Sequence, residues 1–522
     1  MTFNLIEQPW IPVRTVSGLR KSIAPWEITD RYAQDPIVAL DAPRADFRGA
    51  LIQFLIGLVQ TAAAPRDHGE WLSGWHNPPR PEDLRRAFSS MAHAFDLDGD
   101  GPRFMQDLEL SKGQGKGVEA LLIESPGEKT VRDNTDHFIK AGSVAGLCRE
   151  CCATALFTLQ TNAPSGGAGH RTSLRGGEPL TTLVIGNQDR LWQTVWLNTL
   201  TLPAFLNCTG ANPQNTKDED QFPWLAPTRT SEPDRGYATT PKDVHPSQVF
   251  WGMPRRIRLD FSTARSGSCD LCRAVTDNLV QRYFTKNYGV NYEGSWRHPL
   301  TPHFSNKSGA RLPRHAQPGG VGYRHWLGLV QEDAENIAEP AYVVHEFRTL
   351  RRFGGLNFGL WAFGYDMDNM KARCWYESII PLPGIIQEVR ENYDYEIARF
   401  IRAAEQVVRN LRSGVKKGWF DRPSDVQGDF GFLDKKFWHT TQSDFYAICV
   451  DLKNALESKG GASLLRIRWH QFLCRTALCI FEELVAGGPI QYANPKRIAL
   501  ARNDLDKWNR GKKITGILDL PR

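Results

Sequence analysis

The stretch PLPGIIQEVRENYDYEIARFIRAAEQVVRNL, residues 381–411, divides the chain in two. Within Pro381-Leu-Pro-Gly384 the prolines have no N–H to donate and the glycine loosens the backbone, so whatever element precedes it stops there. Beyond it, Ile397, Phe400, Ile401, Ala404, Val408 and Leu411 recur at intervals of three and four, which gathers them on one helix face. The same periodicity returns from Ser443 to Leu456, from Leu464 to Val485 and around Arg497 to Trp508. Four such segments predict a helical bundle over 385–522.

Upstream the texture differs. From Arg44 to Ala64, Ala50, Leu51, Phe54, Leu55 and Leu58 predict another helix. Between about 66 and 260, short alternating segments such as Thr181 to Val184 and Ile257 to Phe261 read as strands separated by Gly, Pro and Asn clusters. Tyr342-Val-Val-His-Glu-Phe347 reads as one more strand. The expected class is therefore α+β: a large mixed body over 1–384 followed by a four-helix bundle.

At 522 residues the chain buries a core without covalent staples. Lys plus Arg number 64 against 58 Asp plus Glu, and a net charge of +6 is too mild to argue for nucleic acid without local clustering. The apolar run Leu51 to Val59 is about half the ~20 residues a membrane-spanning helix needs, and Gln53 interrupts it. Residues 1–13 lack the basic start and apolar stretch of a secretory leader. A cytoplasmic protein with no membrane partner is expected.

In a reducing compartment, paired Cys-x-x-Cys spacing points to metal rather than disulfides. Cys148-Arg-Glu-Cys151 and Cys269-Asp-Leu-Cys272 each offer two thiolates, the set that completes one tetrahedral structural Zn²⁺ and clips two distant loops together. Cys152, Cys208, Cys374, Cys449, Cys474 and Cys479 read as ordinary buried thiols. A rival reading joins His68-Gly-Glu70 to the first knuckle as a zinc deaminase or hydrolase centre, with Glu70 shuttling protons, but Leu147 stands where that motif has proline.

Other motifs carry less. Asp96-Leu-Asp98-Gly-Asp100 imitates a calcium loop, yet Arg103 fills its apolar slot. Gly113-Gln-Gly115-Lys-Gly117 lacks the spacing of a phosphate-wrapping loop, and neither a zincin motif nor a nucleophile elbow is present. No enzymatic centre is expected. The glycine-rich segment Ser165–Gly177, edged by Arg171 and Arg175, suits a nucleic-acid groove: glycines allow close backbone approach while guanidinium groups hold phosphates.

Leu5-Ile-Glu-Gln-Pro-Trp-Ile-Pro-Val13, Phe104-Met-Gln106, the first knuckle followed by Ala153-Thr-Ala-Leu-Phe157, Leu174-Arg-Gly-Gly177 and Thr199-Leu-Thr-Leu-Pro203 together resemble the large subunit of the type I-E CRISPR Cascade complex, the CasA family. The resemblance runs nearly end to end. It implies a non-catalytic subunit that recognises the protospacer-adjacent motif of double-stranded DNA, promotes strand separation and helps recruit a helicase-nuclease, while the CRISPR RNA reads the target by pairing.

Residue by residue, the resemblance places the family's glycine loop at Ser165, Gly166, Gly167 and Ala168, with Ser165 and Ala168 departing from glycine. It places the lysine finger at Lys286, within Tyr283–Tyr288, and the strand-parting wedge at Gly364–Met370 with Asp368 and Asn369 at its tip. Met367 and Met370 are expected to meet an unstacked base step. Phe138 and Lys140 match the loop that docks onto the guide RNA and the other Cascade subunits. Arg399, Arg402 and Arg409, off the apolar stripe of their helix, are candidate phosphate contacts.

Overall fold

The computed structural model describes residues 2–520 except 111–112, 138, 187–189, 211–214, 235, 317–318, 351–356, 369–370, 427 and 487–493. Two compact units divide it: residues 1–320, 334–347 and 360–377 form the first, and 321–333, 348–359 and 378–522 form the second.

The first unit opens with an antiparallel sheet of β1 (Ile11–Thr15), β2 (Arg20–Ile23) and β3 (Ile37–Leu40), in the order β2-β1-β3. Helix α1 (Ala45–Ala62) follows and is buried along most of its length, so the single apolar face read from the sequence understates it. Phe54 at its centre is ringed edge-on by Trp10, Phe95, Phe104, Phe157 and Trp251 at 5.3–6.0 Å between centroids. These T-shaped contacts add to the roughly 1.5–3 kcal/mol that burying each large apolar side chain supplies.

Next come β4 (Gln114–Gly117), α2 (Arg149–Asn162), β5 (Thr181–Ile185), β6 (Arg256–Leu259), the hairpin of β7 (Arg265–Ser268) and β8 (Val275–Leu279), and β9 (Arg282–Lys286). Strands β4, β9 and β6 form one antiparallel sheet with β9 in the middle, its register pairing Lys286 with Arg256. The strands expected at 181–184 and 257–261 are present, although the second ends at Leu259.

Residues 342–347 are not a strand. They begin helix α3 (Tyr342–Leu350), in which Val343, Val344 and Phe347 are buried together, the i, i+1, i+4 face of a helix. The adjacent valines raise β propensity locally, and packing overrides it. A long hairpin follows, β10 (Asn357–Asp368) and β11 (Lys371–Pro383), in a sheet ordered β11-β10-β5. Pro381 and Pro383 thus lie in an edge strand, where a missing N–H is tolerated.

The second unit contains α4 (Gln387–Trp419), α5 (Gly431–Glu457), α6 (Ser463–Ala486), α7 (Pro495–Asn509) and the short α8 (Lys512–Ile517). All four helical segments read from the sequence are found, and the fold class is the α+β arrangement expected. Residues 321–333 join this unit because Tyr323 stacks on Phe445 at 4.3 Å and bonds Thr441 at 2.6 Å, both on α5. Glu396, 2% exposed, is held by Arg466 of α6, whose Nε donates at 2.9 Å.

Candidate nucleic-acid interface and cysteine cluster

Cys148 caps the start of α2, its Sγ accepting from the Cys151 amide at 3.4 Å, so one helix terminus sets both sulfurs of the first knuckle. The second knuckle sits between β7 and β8, where Arg273 takes the left-handed conformation (φ 66°) that closes a tight turn. Asp270 accepts from the amides of Ala145 and Gly146 at 2.7 and 2.8 Å, and Leu147 exchanges two backbone hydrogen bonds with Val280. These contacts bring the knuckles together. The four Sγ atoms lie within 4.8 Å of one another, with Cys148 and Cys272 3.6 Å apart.

Tetrahedral Zn–S bonds of about 2.3 Å place sulfurs about 3.8 Å apart, so this donor set fits Zn²⁺. Left to protons, the four thiols conflict: hydrogen bonding to its neighbours holds Cys148 well above the ordinary thiol range, while bonds from Cys148 and Cys151 draw Cys269 below it. A divalent cation resolves that conflict by taking all four as thiolates. The cluster includes neither His68 nor Glu70; Glu70 is instead bound by Arg66, which pulls its carboxyl down. In the calcium-like stretch Asp98 pairs with Arg149, and nearby Asp107 pairs with Arg256 at 2.6 Å. Among the other cysteines, Cys374 and Cys479 are exposed rather than buried.

Past α2 the chain turns into the glycine loop. Residues 165–168 are exposed, and Arg255 supports them from beneath by donating to the Pro164 carbonyl and contacting His170 Nδ1 at 2.5 Å. Burial draws the Arg255 guanidinium down to about 10, and it lowers His170 as well. Gly169 adopts φ 74°, and a Cβ there would lie 2.9 Å from the Tyr288 ring. Asn287 Nδ2 donates to the Ala168 carbonyl at 2.8 Å, and Tyr288 N to Gly169 O at 2.8 Å. The loop is therefore stitched to the residues that follow Lys286.

Lys286 ends β9, largely exposed, with Glu232 at 3.9 Å, a separation that holds it weakly. Ser165 and Gly166 of the loop and Lys286 line a cleft of about 720 Å³, where Lys116, Arg132, Arg255 and Arg256 outweigh Glu119 and Glu128. Arg171 and Arg175 do not face it as free guanidinium groups. Arg171 donates to Ser231 Oγ and O at 2.7 and 3.0 Å, and Arg175 is 3% exposed in the core.

Asp368 is the last residue of β10 and exposed; Gly364 to Met367 belong to the strand rather than to the turn. Arg373 across the hairpin binds Asp366 at 2.6 Å and approaches Asp368 at 3.8 Å, which tempers the acidity there. Asn369 and Met370 lie outside the described residues. The hairpin's base is fastened to α1: Tyr365 donates to Asp46, Arg44 grips Asp46 through both oxygens, and Gly49 leaves room for Phe363 and Trp375.

A family model for the CRISPR-associated protein Cse1 matches residues 4–480. The chain belongs to the Cse1 family. Its fold is also that of solved structures: Thermobifida fusca Cse1, at 17% identity over 99% of this chain and 98% of that one, has a TM-score of 0.72. Thermus thermophilus CasA (Cse1) gives 18% identity, 97% and 99% coverage and a TM-score of 0.70. A chain of a CRISPR RNA-guided surveillance complex gives 15%, 97%, 100% and 0.68. The type I-E Cascade large-subunit family expected from the N-terminal and cysteine motifs is thus borne out.

Within this Cse1-family chain the remaining candidates divide. Lys140 is exposed with Asp136 at 3.4 Å, and Phe138 lies outside the described residues. Arg399 donates to the Ile517 carbonyl at 2.7 Å and neighbours Glu396, while Arg402 binds Asp333 at 2.5 Å. Both are committed inside their unit, and only Arg409 among the three is exposed, beside Lys416 in a groove of about 400 Å³. Arg255 and Asn287, which hold the glycine loop, were missed in the sequence because no motif marks a supporting side chain. No described helix is long and apolar enough to cross a membrane.

Proposed function

We propose that this chain serves as the non-catalytic subunit of a guide-RNA-loaded Cascade complex that reads the protospacer-adjacent motif of double-stranded DNA. In this reading it promotes strand separation and helps recruit the helicase-nuclease. The observation that carries it is the bond from Asn287 to the Ala168 carbonyl, which ties the glycine loop to the strand end at Lys286, beside a cleft that Ser165, Gly166 and Lys286 line. A minor groove offers a narrow acceptor-lined wall, which a lysine and closely approaching backbone suit. Asp368 and Asn369 then part the strands, Phe138 and Lys140 dock on guide RNA and neighbouring subunits, and Arg409 meets phosphate.

Zn²⁺ in the Cys148, Cys151, Cys269 and Cys272 set is structural: four thiolates leave no position for a reacting water, which disfavours the deaminase or hydrolase alternative. The test is DNA binding by the reconstituted guide-loaded complex, comparing wild type with Lys286→Ala and Asn369→Ala on targets with and without the protospacer-adjacent motif, the flag. Loss of flag-dependent binding with assembly intact is expected. Unchanged binding would replace this reading with that of a protein-binding scaffold.

A further inference from the structure

Arg175 carries positive charge into the interior of the first unit, 3% exposed. Its Nε donates to Thr301 Oγ1 at 2.7 Å, Nη1 to Gln53 Oε1 at 2.5 Å and Nη2 to Thr181 Oγ1 at 2.7 Å. All three acceptors are neutral. Among the described residues no carboxylate forms an ion pair with it, and burial alone shifts its guanidinium, down to about 9. That is still above neutral pH, so the group stays charged. Two of its five N–H donors remain after those three bonds.

The ionisable groups nearby make matters worse rather than better. His298 and His303 are both held in the neutral form, chiefly by burial, and the Arg175 charge opposes protonation of each. An enclosed cation with no opposing charge bears a heavy desolvation penalty, which folded proteins offset by pairing it.

Beside it is a small cavity of about 10 Å³, walled by Arg175, Ser173, Gln160, Thr161, His298 and Gly252. That is the room open to the centre of a water-sized sphere, enough for a single water or monoatomic ion.

We propose that this cavity binds a single monoatomic anion of the halide class as the counter-ion of Arg175. Water fits the same volume but brings no charge, whereas a halide beside the guanidinium cancels the buried cation. Through Arg175 the ion would join Gln53 of α1, Thr181 of β5 and Thr301, three segments distant in sequence. The site lies in the core and is independent of the DNA-reading proposal.

The test uses the full chain in two ways. Crystals grown with sodium bromide in place of chloride are measured at the bromine absorption edge, and melting is followed in sodium chloride against sodium gluconate at equal ionic strength. A bromide peak within hydrogen-bonding distance of the Arg175 guanidinium is expected, with Tm rising with the logarithm of halide concentration. Arg175→Met should lose the halide dependence of Tm; if that variant does not fold, the bromide map of the wild-type chain decides. A site occupied by water alone, or equal Tm values in the two salts, overturns the proposal.

Discussion

The Tyr365 phenol donates to the Asp46 carboxylate at 2.5 Å, joining the hairpin of β10 and β11 to the first turn of α1. Asp46 is 3% exposed and Arg44 grips it from the other side, so this joint is shielded from water and salt. Tyr365→Phe is expected to cost about 1–2 kcal/mol, because it deprives a buried carboxylate of a donor. The checks are thermal melting and the fluorescence of a 2-aminopurine base beside the flag. If the hairpin opens strands, opening slows while flag binding persists.

Gly169 is a second point of control. Gly169→Ala forces a side chain into the left-handed region and against Tyr288, at an expected cost of about 1–2 kcal/mol. Flag-dependent binding by the assembled complex should fall at least tenfold, whereas Gly167→Ala, with open space around its Cβ, should fall less. Equal losses in a filter-binding titration would contradict the stitched-loop geometry.

Metal analysis should return one zinc per chain. Cys148→Ser, or a strong chelator, should release it and lower stability by several kcal/mol, since the cluster closes a long loop and the four sulfurs lose their common partner. Cys152→Ser, which alters a buried thiol outside the cluster, should keep the metal. Atomic emission on dialysed protein, with melting curves for each variant, separates the two.

Acid should destabilise the first unit through His303, whose folded-state pKa is lowered to about 3, chiefly by burial. The unfolded chain takes up the proton near 6.5 and the folded chain does not, so stability is full above about pH 6.5 and is lost as pH falls. The slope for this one histidine is about 1.4 kcal/mol per pH unit down to about pH 3. His303→Gln should flatten the urea-measured profile between pH 6.5 and 4.

The helices of the second unit were legible because periodicity survives wherever one face is buried: Ile397 through Leu411 lie on that face as spaced. The knuckles were legible because metal spacing is local, even though their meeting depends on Asp270 and the Leu147–Val280 bridge. Tyr342–Phe347 misled because two β-branched valines outweigh a short helical repeat until a core claims them. Arg171, Arg175, Arg399 and Arg402 read as surface charge for a related reason: sequence gives a guanidinium's identity but not its partner. Arg255 and Asn287 left no trace, since each acts on backbone atoms brought near only by the fold.

The distance along the chain from Cys148 to Cys272, 124 residues, also sets an order of events during synthesis. At roughly 5–20 residues per second, a nascent chain carries its first knuckle for about 6–25 s before the second leaves the ribosome. For that interval the protein is a dithiol with half a binding site, open to oxidation and to exchange with other metal carriers. With zinc on all four cysteines, metal loading would wait for translation of β7 and β8, and slow codons between the knuckles would lengthen that interval without changing a single residue.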